Sequence, residues 1–210
     1  MNQQTTQKYL DVQDWKDLCK TNLDFLKNRI PSTFYCCEPV DEETTDILPT
    51  LIKLNKKRLF TINSQPHMLT ADTEQISFVE FNCEQEIAYK LLPKLLMSDD
   101  LYFSFGSVSP EKPAWIDTFP TDSSFNLTRF KNIDKSGKVS YEEYTNWNKF
   151  TMIGMNTISE PEICGLARCT FTIHSEVYNL LLDSVSIFVS GKEFGTEFSA
   201  PDKVLELISE

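Results

Sequence analysis

The chain has 210 residues, enough for one domain or a compact pair of sheets around a sizeable core. Its formal charge of -11 excludes a surface built to meet nucleic acid or an acidic membrane, since phosphate contact needs clustered Lys and Arg. No apolar run approaches the roughly 18 residues of a membrane span, and the opening MNQQTTQKYL lacks a secretory pattern, so the expected compartment is the cytosol.

The six cysteines, Cys19, Cys36, Cys37, Cys83, Cys164 and Cys169, follow neither a disulfide nor a zinc spacing and are read as reduced thiols. His67 and His174 are the only histidines, which is little raw material for a zinc site or a histidine-based triad. No metal site is expected.

In chain order, the first predicted element is a helix over about Gln13 to Asn28. Trp15, Leu18, Cys19, Asn22, Phe25 and Leu26 recur there at helical spacing, with Asp14 as candidate N-cap. Residues 31–42 carry two prolines and connect this helix to the Glu43-Thr44 pair.

The next stretch holds the most specific signal. Ile47, Leu51 and Leu54, flanked by Leu48 and Ile52, predict a helix with one buried stripe, and Lys53, Asn55, Lys56 and Lys57 take its wet side. Pro49 is tolerated only in the first turn, which makes Asp46 the expected N-cap and leaves Glu43 and Thr44 just ahead of the helix. Plain capping by Thr44, Thr45 and Asp46 is the alternative. The basic run Lys53, Lys56, Lys57 and Arg58 suits the dipole at the helix C-terminus. From Arg58 to Ser64 the period becomes two, predicting a strand with Leu59, Thr61 and Asn63 on one face and Phe60, Ile62 and Ser64 on the other. Pro66 ends ladder pairing and leaves Asn63, Ser64 and Gln65 at the strand's mouth.

Downstream, HMLTADTE reads as a loop and Ile76 to Phe81 as a strand. Asn82 with Gln85 reads as the capping box of a helix whose stripe is Ile87, Leu91 and Leu95, and which Pro93 should kink or shorten. Leu101 to Phe105 is a third strand, and residues 106–125, with three prolines, form a long loop. Phe125 to Phe130 and Val139 to Tyr144 predict a hairpin across a turn at Asp134 to Gly137. The same turn imitates a calcium loop, with Asn132, Asp134, Ser136, Ser140 and Glu143 near ligand positions, but Asn at the first position and the strand alternation favour the hairpin. Arg168 to Ser175 alternates as a strand, and Glu176 to Ser186 has helical spacing. The pattern leaves Val185 to Val189 open between helix and strand, and Asp202 opens a terminal helix. The order of elements predicts an α/β (α+β) fold with mixed sheets covered by helices. One unit spans 1–210, with a helical lead-in to about 42, a core over 43–105, and a hairpin and C-terminal part over 106–210.

At Glu43-Thr44, Leu54-Asn55 and the strand LFTINSQP from Leu59 to Pro66, the chain resembles the S-adenosylmethionine-binding regulatory domain of eukaryotic methylenetetrahydrofolate reductase. These residues match the family's acidic-threonine pair, its helix end and its LTINSQP strand. Phe25 to Ile30 followed by Pro31 is similar to the family's opening segment, and QISFVEF from Gln75 is similar to its QKAYLEF strand. The similarity covers about residues 23 to 96. Beyond it, Asn126-Leu127-Thr128-Arg129 looks like the counterpart of an AVTW strand that closes the family's nucleoside site.

The resemblance implies that Glu43, Thr44, Thr61 and Ser64 contact S-adenosylmethionine or S-adenosylhomocysteine, with Thr128 as a further candidate and Ser140 as a poorer one. An ordinary cross-strand threonine is the alternative for Thr128. A sulfonium nucleoside calls for hydroxyls, amides and a carboxylate, which these residues supply. On a regular strand Thr61 and Ser64 face opposite ways, so both reach one ligand only if the strand ends or twists. The family's catalytic barrel takes roughly 250 residues, more than this whole chain, so neither reductase activity nor a required cofactor is expected. The implied function is a non-catalytic sensor or adaptor that biases a protein partner or a homodimer. The alternatives are a ligand-free scaffold and an enzyme acting on the nucleoside, for which Glu43 and Glu80 would be the acid or base.

Overall fold

A computed structural model describes residues 3–35, 39–107, 114–119, 126–144 and 175–210. Two N-terminal helices, α1 (Gln3–Leu10) and α2 (Trp15–Leu26), lead to a 3-10 turn (Glu42–Asp46), helix α3 (Leu48–Lys56) and strand β1 (Phe60–Gln65). Short strands β2 (Met68–Leu69) and β3 (Thr73–Gln75) precede β4 (Phe78–Cys83), helix α4 (Gln85–Leu96), β5 (Leu101–Ser107) and β6 (Ala114–Asp117). The hairpin β7 (Thr128–Ile133) and β8 (Val139–Tyr144) follows, then helix α5 (Ser175–Leu182), β9 (Val185–Gly191) and helix α6 (Ala200–Ser209).

The strands make two antiparallel sheets. One has five strands in the order β1-β4-β9-β5-β6, and the other has four in the order β2-β3-β7-β8. The fold is thus of the α+β class expected from the element order, with every described strand pair antiparallel where mixed sheets were expected. Val79, Phe81, Ile187, Val189, Phe103 and Phe105 form one face of the larger sheet and bury against α3, α4 and α6. On the opposite face Phe60 packs with Trp15, Leu18, Phe34 and Leu181 beneath the N-terminal helices. Further along that face, Phe78 and Phe188 meet Ile76 and Leu127, which belong to the second sheet's approach.

The helix-to-strand switch at Arg58 has a local cause. Arg58 takes a left-handed φ of 71°, Leu59 N–H donates to Leu54 O at 3.1 Å, and Arg58 N–H donates to Asn55 O at 3.0 Å. That pair of bonds closes the last turn of α3 and reverses the chain, while Leu54 and Leu59 bury side by side in the core. The same device ends α2 at Asn28, φ 55°, with Arg29 N–H donating to Asp24 O at 2.8 Å. Helix α2 begins as expected, with Asp14 accepting from Asp17 N–H.

Several local expectations are corrected. Asp46 does not cap α3: it closes the 3-10 turn, and Ile47 stands at the N-cap with no side-chain bond. Asn82 caps nothing either. It lies in β4, where Nδ2 donates to Ser184 Oγ at 2.8 Å, and Glu84 precedes α4 instead. HMLTADTE is no simple loop, because Met68–Leu69 and Thr73–Gln75 pair to start the second sheet. Within 106–125, Ala114–Asp117 pairs with β5 as an edge strand. Val185–Gly191 is a strand at the centre of its sheet, laddered to β4 on one side and to β5 on the other. Ser199, not Asp202, caps α6, and Asp202 instead accepts from Thr50 Oγ1 at 2.6 Å. Helix α4 continues past Pro93 to Leu96.

The hairpin is formed with its turn and second strand as expected, but its first strand runs over Thr128–Ile133 rather than Phe125 to Phe130. Asp134 Oδ1 accepts from Ser136 N–H, Ser136 Oγ–H and Lys138 N–H, and Gly137 takes φ 81°. The carboxylate therefore organises a turn, and the bond from the Ser136 hydroxyl, with those from the two N–H groups, lowers its pKa below the usual carboxylate range. Cys19 and Cys83 are buried free thiols, and burial pushes Cys19 up to about 12. Cys36, Cys37, Cys164, Cys169, His174 and most of the expected strand at 168–175 lie outside the described residues.

Candidate functional site

The site is assembled at the free edge of the larger sheet. Among the described residues β1 has a strand partner on one side only, β4, and its residues line a cavity of about 470 Å³. Glu43 and Thr44 reach it from the 3-10 turn, which Asp41 holds by accepting from Glu43 N–H at 2.9 Å. Thr61, Asn63 and Ser64 reach it from β1. Phe25 and Leu26 of α2, together with Phe78 and Leu127, supply apolar walls.

A bulge in β1 decides which side chains meet. Thr61 pairs with Phe81 and Ser64 pairs with Val79, with the irregularity between Thr61 and Asn63. Phe81 and Val79 are two residues apart and share a face, so Thr61 and Ser64 share it too. The strict alternation expected for 58–64 would have separated them. One extra residue in the strand removes the geometric objection.

Beneath Thr61 lies a buried polar relay. Asn22 Nδ2 donates to Asn55 Oδ1 and to Thr61 O, each at 2.9 Å. Asn55 Nδ2 donates to Leu51 O at 2.9 Å and to Thr61 Oγ1 at 2.7 Å. The Tyr35 hydroxyl closes the set at 2.6 Å from Asn22 Oδ1 and 3.1 Å from Thr61 O. These bonds satisfy polar groups that could not otherwise be buried at the rim of the core. Asn55 is only 1% exposed, so its expected place on the wet side of α3 is corrected.

Among the described residues, the charged side chains lining the cavity are Asp41 and Glu43, with no Lys, Arg or His. Gln65 fixes the far wall by donating from Nε2 to Ile76 O at 3.0 Å and to Leu127 O at 3.2 Å. That clamp places Leu127, rather than Thr128, at the cavity. Thr128 is buried on β7 and paired through its backbone with Gln75 and Tyr144. Ser140 is exposed on β8, where its hydroxyl lies 3.4 Å from Asn132 O. Neither lines the cavity, so of the six candidate contacts the fold brings together Glu43, Thr44, Thr61 and Ser64.

Glu80 lies elsewhere. It pairs across the ladder with Asn63 and Phe188, on the face opposite Thr61, and does not line the cavity. It is 4% exposed, and burial raises its carboxyl to about 8. Among the described residues it has no hydrogen-bond or ion-pair partner. Asn22, Asn55 and Tyr35 are the contributors that sequence reasoning did not assign to the site. A trace of them was present in Asn22, an amide standing within the apolar stripe of α2.

A family model described as a domain of unknown function, DUF6919, matches residues 9–155. The chain belongs to the DUF6919 family. No curated protein matches it. The DUF6919 stretch contains every residue that lines the cavity, from Phe25 to Leu127, whereas β9 at the centre of the larger sheet and helix α6 lie beyond it. No helix among the described residues is long and apolar enough to cross a membrane.

Proposed function

We propose that this DUF6919 protein is a non-catalytic sensor or adaptor that binds S-adenosylmethionine or S-adenosylhomocysteine in the cavity beside β1, and that binding biases a protein partner or a homodimer in the cytosol. The observation that carries the reading is the convergence of Glu43, Thr44, Thr61 and Ser64 on one cavity of about 470 Å³. That volume falls within the roughly 300–1,000 Å³ of small-molecule sites. The chemistry also suits the ligand. Hydroxyls and an amide can meet ribose and adenine edges, and exposed Glu43 offers a carboxylate to an ammonium or sulfonium. With Asp41 and Glu43 as the charged lining groups, phosphorylated nucleotides are disfavoured.

The test is a melting experiment with millimolar S-adenosylmethionine and S-adenosylhomocysteine. Ligand at about 100 times its dissociation constant adds roughly 2.7 kcal/mol, which is several degrees for a domain of this size. Thr61→Val and Glu43→Gln should each reduce that shift. An unchanged response in both variants would remove these residues from the site, and no response in the wild type would leave a ligand-free scaffold. Product formed from S-adenosylmethionine during incubation would instead indicate an enzyme.

A further inference from the structure

The relay under the cavity has a consequence for what the ligand must present. Leu51 O and Thr61 O are carbonyls and can only accept. Asn55 Nδ2 faces Leu51 O at 2.9 Å, and Asn22 Nδ2 faces Thr61 O at 2.9 Å. Both amides are thereby oriented: Asn55 Oδ1 receives Asn22 Nδ2, and Asn22 Oδ1 receives the Tyr35 hydroxyl. The second proton of Asn55 Nδ2 points at Thr61 Oγ1, 2.7 Å away. Thr61 Oγ1 is therefore an acceptor on its buried side. Its own proton finds no acceptor among the described residues, and the residue lines the cavity.

We infer that Asn55, oriented by Asn22 and Tyr35, is a positioning residue that holds the Thr61 hydroxyl as a hydrogen-bond donor toward the cavity, so that the ligand atom seated there is an acceptor. A free threonine hydroxyl can turn its proton to any side; here Asn55 occupies one lone pair, so the proton is turned away from the relay and needs an acceptor on the cavity side. The cavity is then polarised, with a donor at Thr61 and carboxylate acceptors at Asp41 and Glu43. A zwitterionic or mixed donor-acceptor ligand fits that polarity, with its cationic or N–H end toward Glu43 and an oxygen or ring nitrogen toward Thr61. The inference rests on the cavity being a ligand site, as proposed above.

Two measurements on the full chain test it. The first needs no ligand. In the wild type both side-chain amide protons of Asn55 should be protected from hydrogen exchange, and Thr61→Val should deprotect one of them while the proton bonded to Leu51 O stays protected. Fast exchange of both in the wild type, or loss of both in Thr61→Val, overturns the relay. The second is a binding cycle with S-adenosylhomocysteine as probe. Aspartate at position 55 accepts where Asn55 donates, so the Thr61 proton turns inward. Asn55→Asp should weaken binding about tenfold in the wild-type background, the cost of about one hydrogen bond, yet less than twofold in Thr61→Val. Equal losses in both backgrounds would mark Asn55 as merely structural and overturn the positioning role. Wild type that binds neither nucleoside would count against the proposed function, while the exchange experiment would still decide the relay. If Asn55→Asp fails to fold, Tyr35→Phe replaces it and should likewise lose its effect in Thr61→Val.

Discussion

Replacing Glu80 by glutamine should stabilise the protein, by an amount that grows with pH. The carboxyl is 4% exposed, lacks an ion-pair partner among the described residues, and titrates at about 8 in the folded chain against an ordinary 4.5. A raised carboxyl pKa means that the folded state keeps a proton which the unfolded state has released. Between 4.5 and about 8 the unfolded chain therefore binds fewer protons, and stability falls as pH rises through that window. Each pH unit removes about 1.36 kcal/mol. At pH 7, two and a half units above the unfolded value, the wild type should have lost roughly 3 kcal/mol, and at pH 8 roughly 4. Glutamine keeps the shape of the neutral acid and has no charge to desolvate. Glu80→Gln and wild type should therefore differ by less than about 1 kcal/mol at pH 5 and by roughly 3 at pH 7, which is about 6–12 °C in Tm. Denaturant unfolding of both proteins at pH 5, 6, 7 and 8 provides the assay, because the difference cancels every other titrating group. A gap that stays constant from pH 5 to 8 would refute the reasoning, since it would mean that Glu80 is not protonated in the fold.

Two further substitutions probe the frame that holds the cavity. A Cβ on Gly191 would stand 2.9 Å from Phe198 Cδ1 and 3.3 Å from Ile76 Cγ2, where β9 passes the start of the second sheet. Gly191→Ala should cost about 1–3 kcal/mol through overpacking, read as a lower urea midpoint with an unchanged m value. Arg58 holds a left-handed φ of 71° and bonds Glu84 at 2.6 Å with a largely solvent-accessible side chain. Removing the strain is worth about 1 kcal/mol or more, whereas the surface pair contributes well under that. Arg58→Gly should therefore raise Tm slightly, and a fall would show that the ion pair outweighs the backbone term.

What the chain made legible was whatever its near neighbours decide. Asp14 caps α2, the stripe Ile47, Leu51 and Leu54 faces the core, and Val139 to Tyr144 is a strand across an Asp-to-Gly turn, because capping, periodicity and turn chemistry act within a few residues. The grouping of Glu43 and Thr44 with Thr61 and Ser64 came from the resemblance to the regulatory domain, not from capping or periodicity. The rest needed partners distant in sequence. The bulge at Ile62 exists only against the register of β4, and it alone turns Thr61 and Ser64 to one side. Asn55 looks like a surface residue until α2 brings Asn22 against it, and Thr128 yields its place to Leu127 because Gln65 bonds the carbonyl of Leu127. Val185 to Gly191 carries a pattern that fits helix or strand equally, and β4 and β5 settle it by supplying ladders on both sides. Local sequence thus set most of the elements, and the resemblance named four residues of the cavity. Only long-range pairing could decide which faces they share, since a strand's register and a buried amide's partners are properties of two segments at once.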